Sequence, residues 1–206
     1  MFEIVKKNPV VAILRGVEDE ALIAYLTSLY EGGLRAFEIS LSEEGALAQI
    51  ERAKEELPSD ALVGAGTVLT VAQAKDAQKA GADFMLSPST NPEVLDYCKE
   101  SHIKMLPGVY TPTDVSVCLA HGYDTLKLFP ASSLPLHYVK DLQGPFPKTK
   151  YVAVGGVSPK NALSYLQAGY IGVGIGSSLV DKALLKSGAW EEITKQIKEF
   201  TKEIAQ

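Results

Sequence analysis

Lys127 lies in the run Thr125-Leu126-Lys127-Leu128-Phe129-Pro130, which is otherwise apolar and rich in large side chains. Such a run reads as a short strand buried on both faces. An ammonium there is costly to desolvate. The common relief is a depressed pKa, which leaves a neutral, nucleophilic amine. Bringing a lysine from its ordinary value to near 7 takes roughly 4–5 kcal/mol of differential destabilisation. The chemistry such an amine offers is Schiff-base formation with a carbonyl substrate. A second ionisable group stands in Ala36-Phe37-Glu38-Ile39-Ser40. Strand alternation puts Phe37 and Ile39 on one face, Glu38 and Ser40 on the other. Imine chemistry needs proton transfers at several steps, and one carboxyl working through a water serves them. A structural Glu–Lys pair is the competing explanation, but a buried pair is a poor source of stability.

These residues need a scaffold that brings strand ends together. Short apolar or β-branched runs recur at Val10–Leu14, Ala36–Ser40, Leu62–Ala65, Phe84–Leu86, Lys104–Leu106, Thr125–Phe129, Tyr151–Val154 and Gly172–Gly174. Between them lie amphipathic stretches, predicted as helices over 18–31, 46–57, 71–80, 92–100, 113–121, 136–142 and 159–168. Gly32-Gly33, Ala80-Gly81, His121-Gly122 and Ala168-Gly169 each fit a helix stop. Eight β/α units predict an α/β chain folded as a single-domain (β/α)8 barrel over residues 1–206. An open doubly wound sheet is the alternative, and it lacks a Gly-x-Gly-x-x-Gly after the first strand. The segment 190–206 is expected to close the fold as a helix, and the N-terminal residues to form a short helix across the barrel bottom.

In a barrel the active site gathers at the C-terminal strand ends. There Leu126 and Leu128 would face the helices, while Thr125, Lys127 and Phe129 would face inward. Thr67 ends Gly64-Ala65-Gly66-Thr67, whose glycines permit close backbone approach. Gly155-Gly156 follows the seventh predicted strand and precedes a helix opened by Ser158-Pro159. Gly174-Ile175-Gly176-Ser177-Ser178 follows the eighth and opens another. Glycines at these two places are the phosphate cradle expected of the fold. Arg15 ends the first strand and is a candidate anchor for a carboxylate or phosphate.

Composition narrows the partners. The net charge is −5 with no basic run, which argues against nucleic-acid binding. Hydrophobic residues make up 46%, the level of ordinary soluble domains. No apolar run reaches membrane length and no signal-peptide pattern precedes Pro9, so a soluble cytoplasmic protein is expected. Cys98 and Cys118 fall in predicted helices as packing residues of a reducing compartment. The three histidines, His102, His121 and His137, are scattered with no metal-ligand spacing, and no metal is expected.

The chain resembles the 2-keto-3-deoxy-6-phosphogluconate (KDPG) aldolase family from Val10 to about Val180. The resemblance rests on Phe37-Glu38-Ile39, Gly64-Ala65-Gly66-Thr67-Val68, Ser87-Pro88, Leu106-Pro107-Gly108, Leu126-Lys127-Leu128-Phe129-Pro130-Ala131, Gly144-Pro145-Phe146, Gly155-Gly156-Val157 and Gly176-Ser177. It implies a homotrimeric class I aldolase, without metal or organic cofactor, that cleaves a phosphorylated 2-keto-3-deoxy sugar acid to pyruvate and glyceraldehyde 3-phosphate. It further implies Lys127 as the Schiff-base lysine and Glu38 as the general acid/base. Thr67 and Pro88 would line the pyruvate side, Phe129 would pack beside the lysine, and Gly155, Gly156, Gly176 and Ser177 would hold the phosphate. Two positions depart from the family pattern: Ser42 stands in place of an arginine and Val154 in place of a threonine. With Arg15 and Val154, the chain looks more like the branch acting on the galactonate C4 epimer. Cleavage of 2-keto-4-hydroxyglutarate, a phosphosugar isomerase or epimerase with Glu38 as base, and a non-catalytic phosphometabolite-binding barrel are the alternatives.

Overall fold

The computed structural model describes residues 1–205. In chain order the elements are α1 (Phe2–Lys7), β1 (Val10–Leu14), α2 (Asp19–Glu31), β2 (Ala36–Ser40), α3 (Ala46–Glu56), β3 (Leu62–Gly66), α4 (Val71–Lys79), β4 (Phe84–Leu86), α5 (Pro92–Glu100), β5 (Met105–Leu106), β6 (Gly108–Val109), α6 (Pro112–Ala120), β7 (Thr125–Leu128), α7 (Tyr138–Gln143), β8 (Lys150–Val154), α8 (Ala162–Ala168), β9 (Gly172–Ile175), α9 (Lys182–Ser187) and α10 (Trp190–Ile204). The strands form one parallel sheet in the order β5-β4-β3-β2-β1-β9-β8-β7-β6. β5 and β6 flank Pro107 on one continuous stretch of chain. The fifth strand, expected to end at Leu106, instead resumes after the proline as Gly108–Val109, and the sheet closes through this split strand into a barrel. Proline has no N–H to give the ladder. Its carbonyl still accepts from the Lys127 N–H at 2.8 Å, so the split strand remains stitched to β7.

The alternation read from the sequence holds. Phe37, Ile39, Leu126 and Leu128 pack between barrel and helices, with Leu22, Leu26 and Leu29 of α2. A separate apolar cluster fills the barrel interior, made of Val11, Ala36, Phe84, Leu86, Leu106, Val152 and Val154. Ile4 and Val5 of α1 join that inner cluster, so the N-terminal helix plugs the barrel bottom as expected. Two packed apolar layers around one closed sheet make a stiff frame, because interiors at crystal-like density resist side-chain displacement.

The helices start on side-chain caps where the sequence offers them. Thr70 and Gln73 form a reciprocal capping box on α4, and Thr111 and Asp114 form one on α6. The predicted glycine stops Gly33, Gly81, Gly122 and Gly169 all have positive φ. α10 buries Ile193, Ile197 and Phe200 along one stripe. It docks on the end of α2, where the Thr201 hydroxyl donates to Gly32 O at 2.8 Å. The expected helical extension to residue 206 lies, in its last residue, outside the described residues. Among the described residues no helix is long and apolar enough to cross a membrane.

Two expectations at the C-terminal strand ends need correction. Ser158-Pro159 does not open a helix: residues 159–161 form a turn, and α8 begins at Ala162. The Asn161 side chain holds this turn by accepting from Ser158 N and donating to Gly156 O. Gly174 and Ile175 are still strand, and the segment after Gly176 is irregular until α9 begins at Lys182. Here Ser178 Oγ donates to Val157 O at 2.7 Å. The two last loops are laced to each other before either chain turns helical, which delays both helices.

Candidate active site

Glu38 and Lys127 sit on β2 and β7. Counting strands around the closed sheet gives four steps between them in either direction. They face each other across the barrel from diametrically opposite strands. Glu38 is 1% exposed and Lys127 4%. Burial pushes the Lys127 amine below its ordinary value, and the Arg15 cation pushes the same way, against the opposing attraction of Glu38. Burial likewise raises the Glu38 carboxyl above the ordinary carboxylate range, against the pull of Lys127 and Arg15. Each group is thus biased toward its neutral form, an amine and a carboxylic acid. Glu38 Oε2 is buried with no hydrogen-bond partner in the protein, so no protein donor holds this carboxyl in its ionised form.

The strand neighbours explain why Glu38 fits. Its β3 partner is Gly64, and Gly66 pairs with Ser40 one step toward the mouth. A Cβ on Gly66 would lie 1.7 Å from Glu38 Oε1 and 2.3 Å from its carboxyl carbon. The carboxyl therefore occupies the space that a side chain at residue 66 would fill. On the opposite wall, Lys127 Nζ lies 5.1 Å from the centroid of the Phe129 ring. The ring packs beside the amine and helps to bury it.

Around this pair the other predicted residues fall at the same end of the barrel. Arg15 is exposed just after β1, within electrostatic reach of both Glu38 and Lys127. Thr67 follows β3 and adopts φ +58°. For a β-branched residue this left-handed backbone costs about 1–2 kcal/mol. Pro88 follows β4, and its backbone packs against Gly108. Val154, at the end of β8, is buried and offers an apolar surface. Gly155 and Gly156 both have positive φ. A Cβ on Gly156 would come within 2.2 Å of Ser132 Cβ, so this loop lies tight against the turn after β7. Gly176 and the exposed Ser177 complete the neighbouring loop after β9. The last two loops meet at Ser178 and Val157, which brings the two glycine pairs to adjacent positions on the rim. Their donors are turn N–H groups, since both helices begin later.

The structure adds residues that the sequence pattern left without a role. Ser40 is fully buried; its Oγ lies 2.9 Å from Thr67 Oγ1 and 2.8 Å from Ser42 Oγ. Only its place on the Glu38 face of β2 hinted at this. Ser132 reaches the rim through a loop that no periodicity places. Cys98 and Cys118 are buried free thiols, which burial pushes up to about 11, as packing residues would be. Among the described residues, no three His, Cys, Asp or Glu side chains gather as a metal-binding group.

A closed parallel β/α barrel, with an amine and a carboxyl buried face to face below a glycine-lined rim, has the groups that Schiff-base lyase chemistry requires. Residues 1–196 match the family described as KDPG and KHG aldolase. Similarity to individual proteins agrees. The chain is 32% identical over 198 residues to a 2-dehydro-3-deoxy-phosphogluconate aldolase of Pseudoalteromonas atlantica, covering 96% of this chain and 92% of that one. It is 37% identical over 174 residues to a probable 2-dehydro-3-deoxy-6-phosphogalactonate aldolase of Rhizobium meliloti, covering 84% and 82%. Its fold superposes with a TM-score of 0.88, at 30% identity and over 97% of both chains, on a KDPG aldolase from Legionella pneumophila with pyruvate captured as a covalent carbinolamine intermediate. This chain belongs to the KDPG and KHG aldolase family, class I carbon–carbon lyases. The isomerase and binding-only alternatives fall with that result, as does the open sheet.

Proposed function

We propose that the chain, acting as one barrel domain, cleaves 2-keto-3-deoxy-6-phosphogluconate and its C4 epimer to pyruvate and D-glyceraldehyde 3-phosphate. Lys127 is the nucleophile and Glu38 the general acid/base. The observation that carries this reading is the pair itself: two buried ionisable groups from opposite strands, biased to opposite sides of their ordinary titration.

The Lys127 amine adds to the C2 carbonyl, and the carbinolamine loses water to give a protonated Schiff base. Glu38, ionised for this step, takes the proton of the C4 hydroxyl. The C3–C4 bond then breaks, its electrons flow into the iminium as an enamine, and glyceraldehyde 3-phosphate leaves. Glu38 returns its proton to C3, and hydrolysis of the resulting imine releases pyruvate and restores the amine. A carboxyl raised by burial suits both directions of transfer, because a catalytic pKa near the working pH is the most effective. Thr67 and Pro88 line the pyruvate side and Phe129 flanks the lysine. Arg15 supplies a cation for an anionic end of the substrate. The N–H groups of Gly155, Gly156 and Gly176 and the Ser177 hydroxyl hold the phosphate.

Val154 carries no hydroxyl or amide with which to read a C4 hydroxyl, and relatives named for both epimers lie at comparable identity. We therefore expect weak discrimination at C4. The same keto-acid head would admit 2-keto-4-hydroxyglutarate. A homotrimer is part of the proposal, and the exposed Leu69, Tyr110, Leu119 and Leu136 supply apolar surface for it; sedimentation velocity tests the assembly. The chemistry is tested by incubation with pyruvate and borohydride, then peptide mass analysis. A reduced pyruvyl adduct on Lys127 is expected, and an unmodified Lys127 peptide would sink the proposal.

A further inference from the structure

Strand alternation should aim Thr67 away from the site. Gly66 faces the barrel interior, since its missing Cβ would meet the Glu38 carboxyl. The next residue would then point to the helix layer. The left-handed backbone at Thr67 breaks that alternation, and the Thr67 hydroxyl instead meets Ser40, which faces inward from β2. Two ladder-like bonds fix the backbone here, Leu41 N to Gly66 O at 2.9 Å and Val68 N to Leu86 O at 3.1 Å. Neither bond determines where the hydroxyl points. Ser40 does: its Oγ is wholly buried, and its side-chain neighbours are the hydroxyls of Thr67 and Ser42. The Ser42 N–H also reaches Ser40 Oγ, at 3.5 Å.

The three hydroxyls form a chain, and a chain of hydroxyls has two senses. In one, protons point outward through Ser42 to Glu43 Oε1, 3.4 Å from Ser42 Oγ. In the other, Ser42 donates to Ser40, Ser40 donates to Thr67, and the Thr67 proton is left facing the barrel mouth. A carboxylate arriving beside Thr67 accepts only, and so selects the second sense. Hydrogen bonds in series polarise each other, which strengthens the last donor.

We propose that Ser40 is a positioning residue for the keto-acid carboxylate: with Ser42 behind it, it orients the Thr67 hydroxyl as a donor toward that carboxylate. This rests on the aldolase reading above. It goes beyond that reading by assigning work to two serines on the far side of Thr67 from the substrate.

The test is a double-mutant cycle of wild type, Ser40→Ala, Thr67→Val and the double variant. Each is read as the rate of borohydride-trapped adduct against pyruvate concentration. Ser40→Ala is expected to raise the half-saturating pyruvate concentration about tenfold, the size of one hydrogen bond to a charged group. The maximal trapping rate should stay within about twofold, since the Lys127–Glu38 pair is untouched. The double variant should be no worse than Thr67→Val alone, because Ser40 acts through Thr67. Ser42→Ala removes the exposed end of the chain at little risk to the fold, and should give a smaller shift of the same kind. Ser40→Ala saturating like wild type, effects of Ser40→Ala and Thr67→Val that multiply, or a loss confined to the maximal rate would each overturn the proposal. Absence of any adduct in wild type would remove the aldolase reading along with it.

Discussion

Gly66→Ala isolates the space that Glu38 uses. The new methyl would start 1.7 Å from Oε1, 2.3 Å from the carboxyl carbon and 2.6 Å from Cγ. No backbone atom is among these nearest neighbours, and Gly66 is in ordinary strand conformation, so alanine fits the main chain. Replacing glycine there reduces unfolded-chain freedom, which stabilises by about 0.4–1 kcal/mol. Pressing a methyl into a packed interior costs about 1–3 kcal/mol. The net loss is at most about 2.5 kcal/mol, or a fall in Tm of no more than about 10 °C for a chain of this size. What gives way is the end of the Glu38 side chain. With the proposed acid/base displaced, kcat should fall by about 10²–10⁴, the usual contribution of a positioned proton-transfer group. The assay pairs steady-state pyruvate release from the phosphorylated keto acid with a thermal melt. Activity within about threefold of wild type at unchanged Tm would mean that Glu38 has room elsewhere, and would refute the claim that Gly66 positions it.

Other outcomes follow from the same geometry. The raised Glu38 means that, above its ordinary carboxyl value and up to its folded one, the folded state keeps a proton the unfolded chain has lost; stability falls as pH rises through that window, and urea titrations of Glu38→Gln should lack this fall. The depressed Lys127 has the opposite sign: between its folded value and its ordinary 10.5, the unfolded chain holds the extra proton. Stability therefore rises with pH there, and Lys127→Met should lose that rise along with all adduct formation. Arg15→Met removes a cation that depresses Lys127, so the acid limb of the trapping rate should move to higher pH; a limb that stays or moves lower contradicts Arg15's electrostatic role. Val154→Thr introduces a hydroxyl at the end of β8 and should change the ratio of kcat/KM for the two C4 epimers by about 2- to 10-fold, the scale set by one added hydrogen bond. An unchanged ratio would place C4 recognition elsewhere.

Much of the site was legible because its signals are local. Strand alternation alone put Glu38 and Ser40 on one face and Leu126 and Leu128 on the other, and the structure keeps them there. The buried lysine declared itself through the apolar run around it. The helices after β8 and β9 start later than expected, because the Ser178 bond to Val157 O ties the two loops together and the Asn161 side chain holds the first as a turn, over the local helix signals. Proline at residue 107 was visible, but its effect of dividing one strand between two partners depends on closure of the sheet.

The sequence by itself determined the class of fold, the inward-facing pair and the glycine rim, because periodicity and composition act over a few residues of chain. Only the tertiary structure decided that Glu38 and Lys127 stand opposite each other and that the Glu38 carboxyl fills the side-chain space left at Gly66. It also decided that Thr67 turns back toward the mouth to meet Ser40. The physical reason is the closed barrel. Register around the ring brings residues dozens of positions apart within contact, and burial inside it moves the titration of an amine and a carboxyl in opposite directions.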